Sequence, residues 1–137
     1  MLNISKYFNE AKKSVFLAGK ILKKYYLESF KIEYKGARNP VTAADKNSEK
    51  AIIKILGKKF PDVDFLCEES CVEINRRKNG LVWIIDPLDG TANFVNGIPL
   101  FAVSIAVLNG GVPVAGVIYQ PVGNSLYTAA RAWLRRD

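Results

Sequence analysis

Apolar residues recur through the first third of the chain at helical spacing. Ile4, Phe8, Ala11, Val15, Ile21, Leu22 and Tyr25 fall on one stripe with lysines between them. That period predicts a long amphipathic helix over residues 4–28. KIEYKGARNP reads as a short extended piece followed by a loop containing Gly36 and Pro40. Thr42 opens a second helix through about Lys59, with Ile52, Ile53, Ile55 and Leu56 as its apolar positions, and Pro61 closes it.

The pattern then changes. VDFLC predicts a short strand, and CVEINRRKNG a polar connecting loop ending in Asn-Gly. LVWII is a continuous apolar run, as in a strand covered on both faces. DPLDG predicts a turn, and TANFVNG a short helix. FAVSIAVLNGGVPVAGVIYQP predicts two strands joined at Asn-Gly-Gly, an antiparallel hairpin that SLYTA extends by a third strand. Helices first and adjacent strands afterwards predict an α+β fold.

Composition narrows the chemistry. The 137 residues suffice for one domain with a core, and no stretch approaches the roughly 20 apolar residues of a membrane span. The polar start MLNISKYFNEAKK does not resemble a secretory leader, so a cytoplasmic protein with no membrane partner is expected. Cys67 and Cys71 cannot form a disulfide framework; they are expected to be reduced, with Cys67 half-buried.

Charge is unevenly distributed. Residues 1–60 hold 14 Lys and Arg against 5 Asp and Glu, a net +9; residues 61–137 hold 6 against 8, a net −2. A basic first half beside an acidic centre fits an anionic substrate held over cations, or weak nucleic-acid contact. There is no histidine, which excludes Ser-His and Cys-His nucleophile pairs. Catalysis would fall to carboxylates, hydroxyls, lysines or a metal.

Acidic residues cluster where strands should end. Asp86 and Asp89 follow LVWII, and hard cations take oxygen ligands of this kind, including a carbonyl such as that of Leu88. D-P-x-D-G is equally good chemistry for a plain turn. If a helix starts at Thr91, its free N–H groups beside Gly90 could meet a phosphate, or Thr91 could simply cap the helix. Glu68 and Glu69 end the preceding strand, as ligands or as an exposed acidic loop. Thr42 and Asp45 match a capping pattern, and Asp45 could instead accept from a catalytic threonine hydroxyl. Lys35 and Arg38 could meet a phosphate or be solvated.

Three segments together resemble the inositol monophosphatase family of metal-dependent sugar-phosphate phosphatases: NPVTAAD, CEES and WIIDPLDGTANFVNGIPLFAVSIAV, in family order. The resemblance spans residues 1–128. It implies the N-terminal α-β part of the layered αβαβα sandwich of the inositol monophosphatase and fructose-1,6-bisphosphatase type. It implies Mg²⁺ as cofactor, with Glu68, Asp86, Asp89 and the Leu88 carbonyl as ligands. Gly90 and Thr91 match the phosphate-cradling helix start. Thr91 with Asp45 matches the pair that helps deprotonate the attacking water, and Glu69 a carboxylate near the metals. The expected partners are a small phosphorylated substrate and a second copy in a homodimer, with no nucleic acid.

Family chains are longer, and their second half carries a W-D-x-x-A-G motif whose aspartate binds metal and substrate. That motif is absent here, and residues 129–137 (AARAWLRRD) form an off-pattern basic tail, as expected of a truncation. The hairpin is then expected to leave an apolar face uncovered. The alternative function is a catalytically incomplete half that acts as a dimer-forming or binding module.

Overall fold

The computed structural model describes residues 2–28, 42–68 and 80–131. The elements run α1 (Ile4–Glu28), α2 (Thr42–Lys59), β1 (Asp64–Cys67), β2 (Leu81–Asp89), α3 (Thr91–Val95), β3 (Ala102–Asn109), β4 (Val112–Gln120) and β5 (Ser125–Ala130). The strands form one sheet in chain order. β1 and β2 are parallel, and every later pair is antiparallel. The α+β expectation therefore holds, as do both long helices, the hairpin and its third strand. β5 continues through Ala129 and Ala130, and the Arg131 amide still donates to the Val114 carbonyl at 2.8 Å. The expected extended piece and loop at 31–40, the polar loop at 71–80 save Gly80, and most of the basic tail lie outside the described residues.

Both long helices pack on the same face of the sheet, α1 across β3 and β4 and α2 against β2. The buried stripe of α1 is Ile4, Ala11, Val15, Ala18, Leu22 and Tyr26, which follows the 3.6-residue period. Beneath it, the strands contribute every second residue: Leu81, Trp83 and Ile85 from β2, then Val103, Ile105 and Val107 from β3. Trp83 lies against the rings of Tyr7 and Phe60, with centroids 5.9 and 5.7 Å away. Glu10 ties the helices together: its carboxylate meets Lys13 at 3.2 Å and Lys59, near the end of α2, at 3.1 Å. Burial disfavours the charged form of Glu10, but the two ammonium groups outweigh it and hold the carboxyl below its usual value.

Close approach of α1 to the sheet depends on one small residue. A Cβ at Gly19 would sit 2.4 Å from Tyr119 Cε1 and 2.6 Å from Cδ1. The Tyr119 ring cannot swing away freely. Its hydroxyl bonds Asn124 at 2.8 Å and its edge meets Phe16. Gly19→Ala is therefore expected to lower stability by about 1–2 kcal/mol, because overpacking outweighs the roughly 1 kcal/mol gained in helix propensity. Urea denaturation would measure this, and a more stable variant would show that the ring yields.

Three expectations are corrected by the sheet. Among the described residues, LVWII is covered on one face only: Val82 and Ile84 are half-buried, and no described element lies over them. The same open face carries Leu66, Ile118 and Tyr127, which are 45%, 45% and 61% exposed. DPLDG is also not a simple turn, because β2 runs on through Asp89. Cys67, expected to be half-buried, is buried on the helix side; Cys71 lies outside the described residues.

Candidate active site

The end of β2 explains how two aspartates three positions apart can act together. In an uninterrupted strand, residues three apart point to opposite faces. Here Asp86 pairs with Ser104 and Asp89 with Ala102, so three steps along β2 match two along β3. That is a β-bulge with one extra residue. Pro87 occupies it, where the missing N–H costs no ladder bond. Pro87 and Leu88 are both buried, while Asp86 is half-buried and Asp89 exposed. The bulge thus returns Asp89 to the open side with Asp86. The Leu88 amide donates to Asp86 Oδ1 at 3.2 Å and fixes that side chain against the bulge.

Glu68 reaches the same place from the neighbouring strand. Cys67 of β1 lies opposite Ile85 of β2, and Glu68 follows at the strand end, exposed, on the face of Leu66. Its carboxyl lies close enough to that of Asp86 to act on its ionisation. Desolvation by burial, this contact with Glu68, and the charges of Glu68 and Asp89 push the Asp86 carboxyl up to about 7; the Leu88 amide works the other way. The site is a set of carboxylates held together against their repulsion. Among the described residues, no three such side chains converge on a single point.

α3 starts directly after the second aspartate. Gly90 adopts a left-handed conformation at its N-cap, with φ 87° and ψ 39°. The Thr91 hydroxyl donates to the Leu88 carbonyl at 3.4 Å, and the Phe94 amide to the Gly90 carbonyl at 3.0 Å. Tyr26 anchors the far end of the helix by donating from its hydroxyl to the Gly97 carbonyl at 2.7 Å. The rings of Tyr26, Phe94 and Phe101 pack together beneath. A cleft of about 390 Å³ opens beside Asp89 and Gly90, with Asn93, Phe101, Ile118 and Tyr127 on its walls.

From the helix side, α2 places polar groups under the bulge. Asp45, Ser48 and Glu49 are all buried there. The Ser48 hydroxyl donates to the Pro87 carbonyl at 3.4 Å, so the turn of α2 that carries Asp45 lies against DPLD. Ser48 and Glu49 are absent from the sequence prediction. Their signal was present, since positions 45, 48, 49, 52 and 56 share one helical stripe and only the last two are apolar. Glu69, Lys35 and Arg38 fall outside the described residues.

A family model with the description inositol monophosphatase family matches residues 3–133. The chain belongs to the inositol monophosphatase family. The fructose-1,6-bisphosphatase/inositol-1-monophosphatase of Aquifex aeolicus is 38% identical over 133 residues, covering 96% of this chain and 50% of that protein. The inositol monophosphatase of Dictyostelium discoideum is 46% identical over 112 residues, covering 81% of this chain and 41% of its own. In structure, the extragenic suppressor protein SuhB from Bartonella henselae superposes with a TM-score of 0.81 at 41% identity, over 93% of this chain and 50% of that one. The chain spans about half the length of the relatives it matches. Its family relatives include phosphatases, and the fold agrees with the layered α+β architecture expected of them.

The donor types are those that a hard cation such as magnesium takes. Glu68, Asp86 and Asp89 offer hard carboxylate oxygens, and Leu88 offers a carbonyl on the same bulge. No nitrogen or sulfur donor stands among these four. A divalent cation would also offset the desolvation and the neighbouring charges that raise Asp86.

Proposed function

We propose that this chain is a Mg²⁺-dependent phosphomonoesterase acting on inositol monophosphate or a related sugar phosphate. The observation that carries it is the bulge at Pro87, which brings Asp86 and Asp89 to one face, where Glu68 already meets Asp86. Nothing in sheet packing requires three carboxylates there.

Bound magnesium would supply Lewis acidity towards phosphate oxygens and a lowered pKa for water. Glu68, Asp86, Asp89 and the Leu88 carbonyl would hold it. Gly90, with no side chain, lets a phosphate approach the backbone at the start of α3 beside the cleft. Thr91 and Asp45 are the pair to orient the attacking water and receive its proton, and the family resemblance gives Glu69 the role of an auxiliary carboxylate. The chain is read as cytoplasmic and as a homodimer; no helix among the described residues is long and apolar enough to cross a membrane.

A second possibility rests on the open apolar face and the half-length match: the chain is a catalytically incomplete module that dimerises or binds through that face. Phosphate release from inositol 1-phosphate by the purified chain separates the two. Phosphatase function predicts Mg²⁺-dependent turnover that EDTA abolishes. Turnover unaffected by EDTA would refute the metal role, and none at any Mg²⁺ concentration would favour the incomplete module.

A further inference from the structure

The lysines of the helical layer have no role in the candidate active site, and their arrangement is not what helix stability favours. Lys46, Lys50, Lys54 and Lys58 recur every four residues along α2, and all four are exposed. Like charges at this spacing repel and destabilise a helix. Three such pairs follow one another here. Acidic side chains could interleave and relieve them, but the two acids of α2, Asp45 and Glu49, are turned inward and buried. On α1, Lys6, Lys13, Lys20 and Lys24 are likewise exposed. Glu28 is the one exposed carboxylate on either helix. Among the described residues, the only ion pair of these lysines is that of Lys13 with Glu10, which Lys59 also meets.

Both helices lie on the same face of the sheet, so their exposed sides look away from it together. We propose that this outer face of α1 and α2 binds the phosphate backbone of a nucleic acid. The α2 stripe from Lys46 to Lys58 extends for about 18 Å at 1.5 Å per residue. Charges spread along a line suit a polymer of phosphates and not a single small anion, which needs donors that converge. A lipid surface fits less well. Helices lying on a bilayer insert an apolar face, and the apolar stripes of α1 and α2 already rest on the sheet. The exposed positions of α2 are lysines with Ala43 and Asn47.

The charge excess alone leads to no nucleic-acid partner; the alignment of the lysines on one side changes that. The surface is also separate from the carboxylates, because Asp86 faces the opposite side of the sheet. Binding would not depend on phosphatase activity, and the two can fail independently.

Fluorescence anisotropy tests the proposal, with the intact chain, a single-stranded RNA of about 20 nucleotides and a DNA duplex of about 20 base pairs, across roughly 50–200 mM salt. Lys46→Gln, Lys50→Gln and Lys54→Gln together are expected to weaken binding about tenfold or more, and to reduce the slope of log affinity against log salt by about 2–3. The melting temperature should be unchanged or higher, since repulsion within α2 is relieved. A charge-matched control, Val112→Glu with Val122→Glu and Thr128→Glu, places the same charge change on exposed strand and turn positions outside both helices; it should lose less than about threefold. Equal losses in both variants would reduce the effect to net charge and overturn the proposal. So would failure of the parent to bind either probe at the lowest salt, or binding to phosphatidylserine vesicles without binding to RNA or DNA.

Discussion

Asp86→Asn is expected to stabilise the metal-free protein at pH 8 while abolishing both its response to Mg²⁺ and the phosphatase activity proposed for it. The sign follows from where the proton sits. The Asp86 carboxyl is raised from its usual 3.8 to about 7 in the folded chain. Between these values the folded state keeps a proton that the unfolded state releases, so stability falls as pH rises from about 4 to about 7. Above that the penalty is constant, and below about 4 it is absent. The full interval would correspond to roughly 4 kcal/mol. Asp86 is only half-buried, and solvent screening reduces this to about 1 kcal/mol, or about 3 °C in melting temperature. Asparagine keeps the side-chain oxygen that accepts from the Leu88 amide and removes the charge.

With Mg²⁺ the order should reverse. Wild type gains stability by mass action as the ion binds, and the variant does not. Activity should fall about a thousandfold or more, as expected when a ligand to the reacting centre is lost. Thermal melts from pH 4 to 8, with and without Mg²⁺, read both halves. A variant that melts lower than wild type at pH 8 without metal would show that the carboxylates are not held against repulsion. An equal Mg²⁺ response would remove Asp86 from the metal site.

Much of this frame was legible before the structure. The boundaries of α1 and α2 follow from apolar period, and β3 and β4 from Asn-Gly-Gly between two apolar runs, because each pattern suits one backbone geometry only. The segment around Asp86 was less legible for a physical reason. D-P-x-D-G satisfies a turn and a bulged strand end equally well, since both tolerate proline and both let the first aspartate accept a nearby amide. Only pairing with Ser104 and Ala102 decides between them. The open face was hidden in the same way. Five apolar residues in LVWII look alike whether one or both faces are covered, and burial of Trp83 beside half-exposed Ile84 appears only once the helices are placed. Ser48 and Glu49 were legible in principle, as breaks in an apolar stripe, but their meaning depends on Pro87 lying opposite.

Gly90→Ala should have the second large effect, and it tests whether the start of α3 is as constrained as the site requires. Gly90 has φ 87°, where an L side chain costs about 1–2 kcal/mol. A Cβ there would also sit 2.8 Å from the Leu100 carbonyl oxygen and 3.3 Å from Phe101 Cα. Both are backbone atoms and cannot rotate away. The Leu100 carbonyl is further held by the Asn93 side-chain amide at 2.8 Å, so moving it disturbs α3 itself. The expected destabilisation is about 2–4 kcal/mol. Relief would have to come from turning Gly90 out of its left-handed conformation, which would swing Thr91 away from the Leu88 carbonyl and separate the helix start from the aspartates. Substrate turnover should therefore fall further than the unfolded fraction accounts for, while the surviving folded protein still responds to Mg²⁺ through Asp86 and Glu68. Urea titration gives the stability, and activity measured well below the melting temperature gives the remainder. A variant as stable and as active as wild type would mean that neither the left-handed turn nor the close approach of residues 100–101 is needed to build the site.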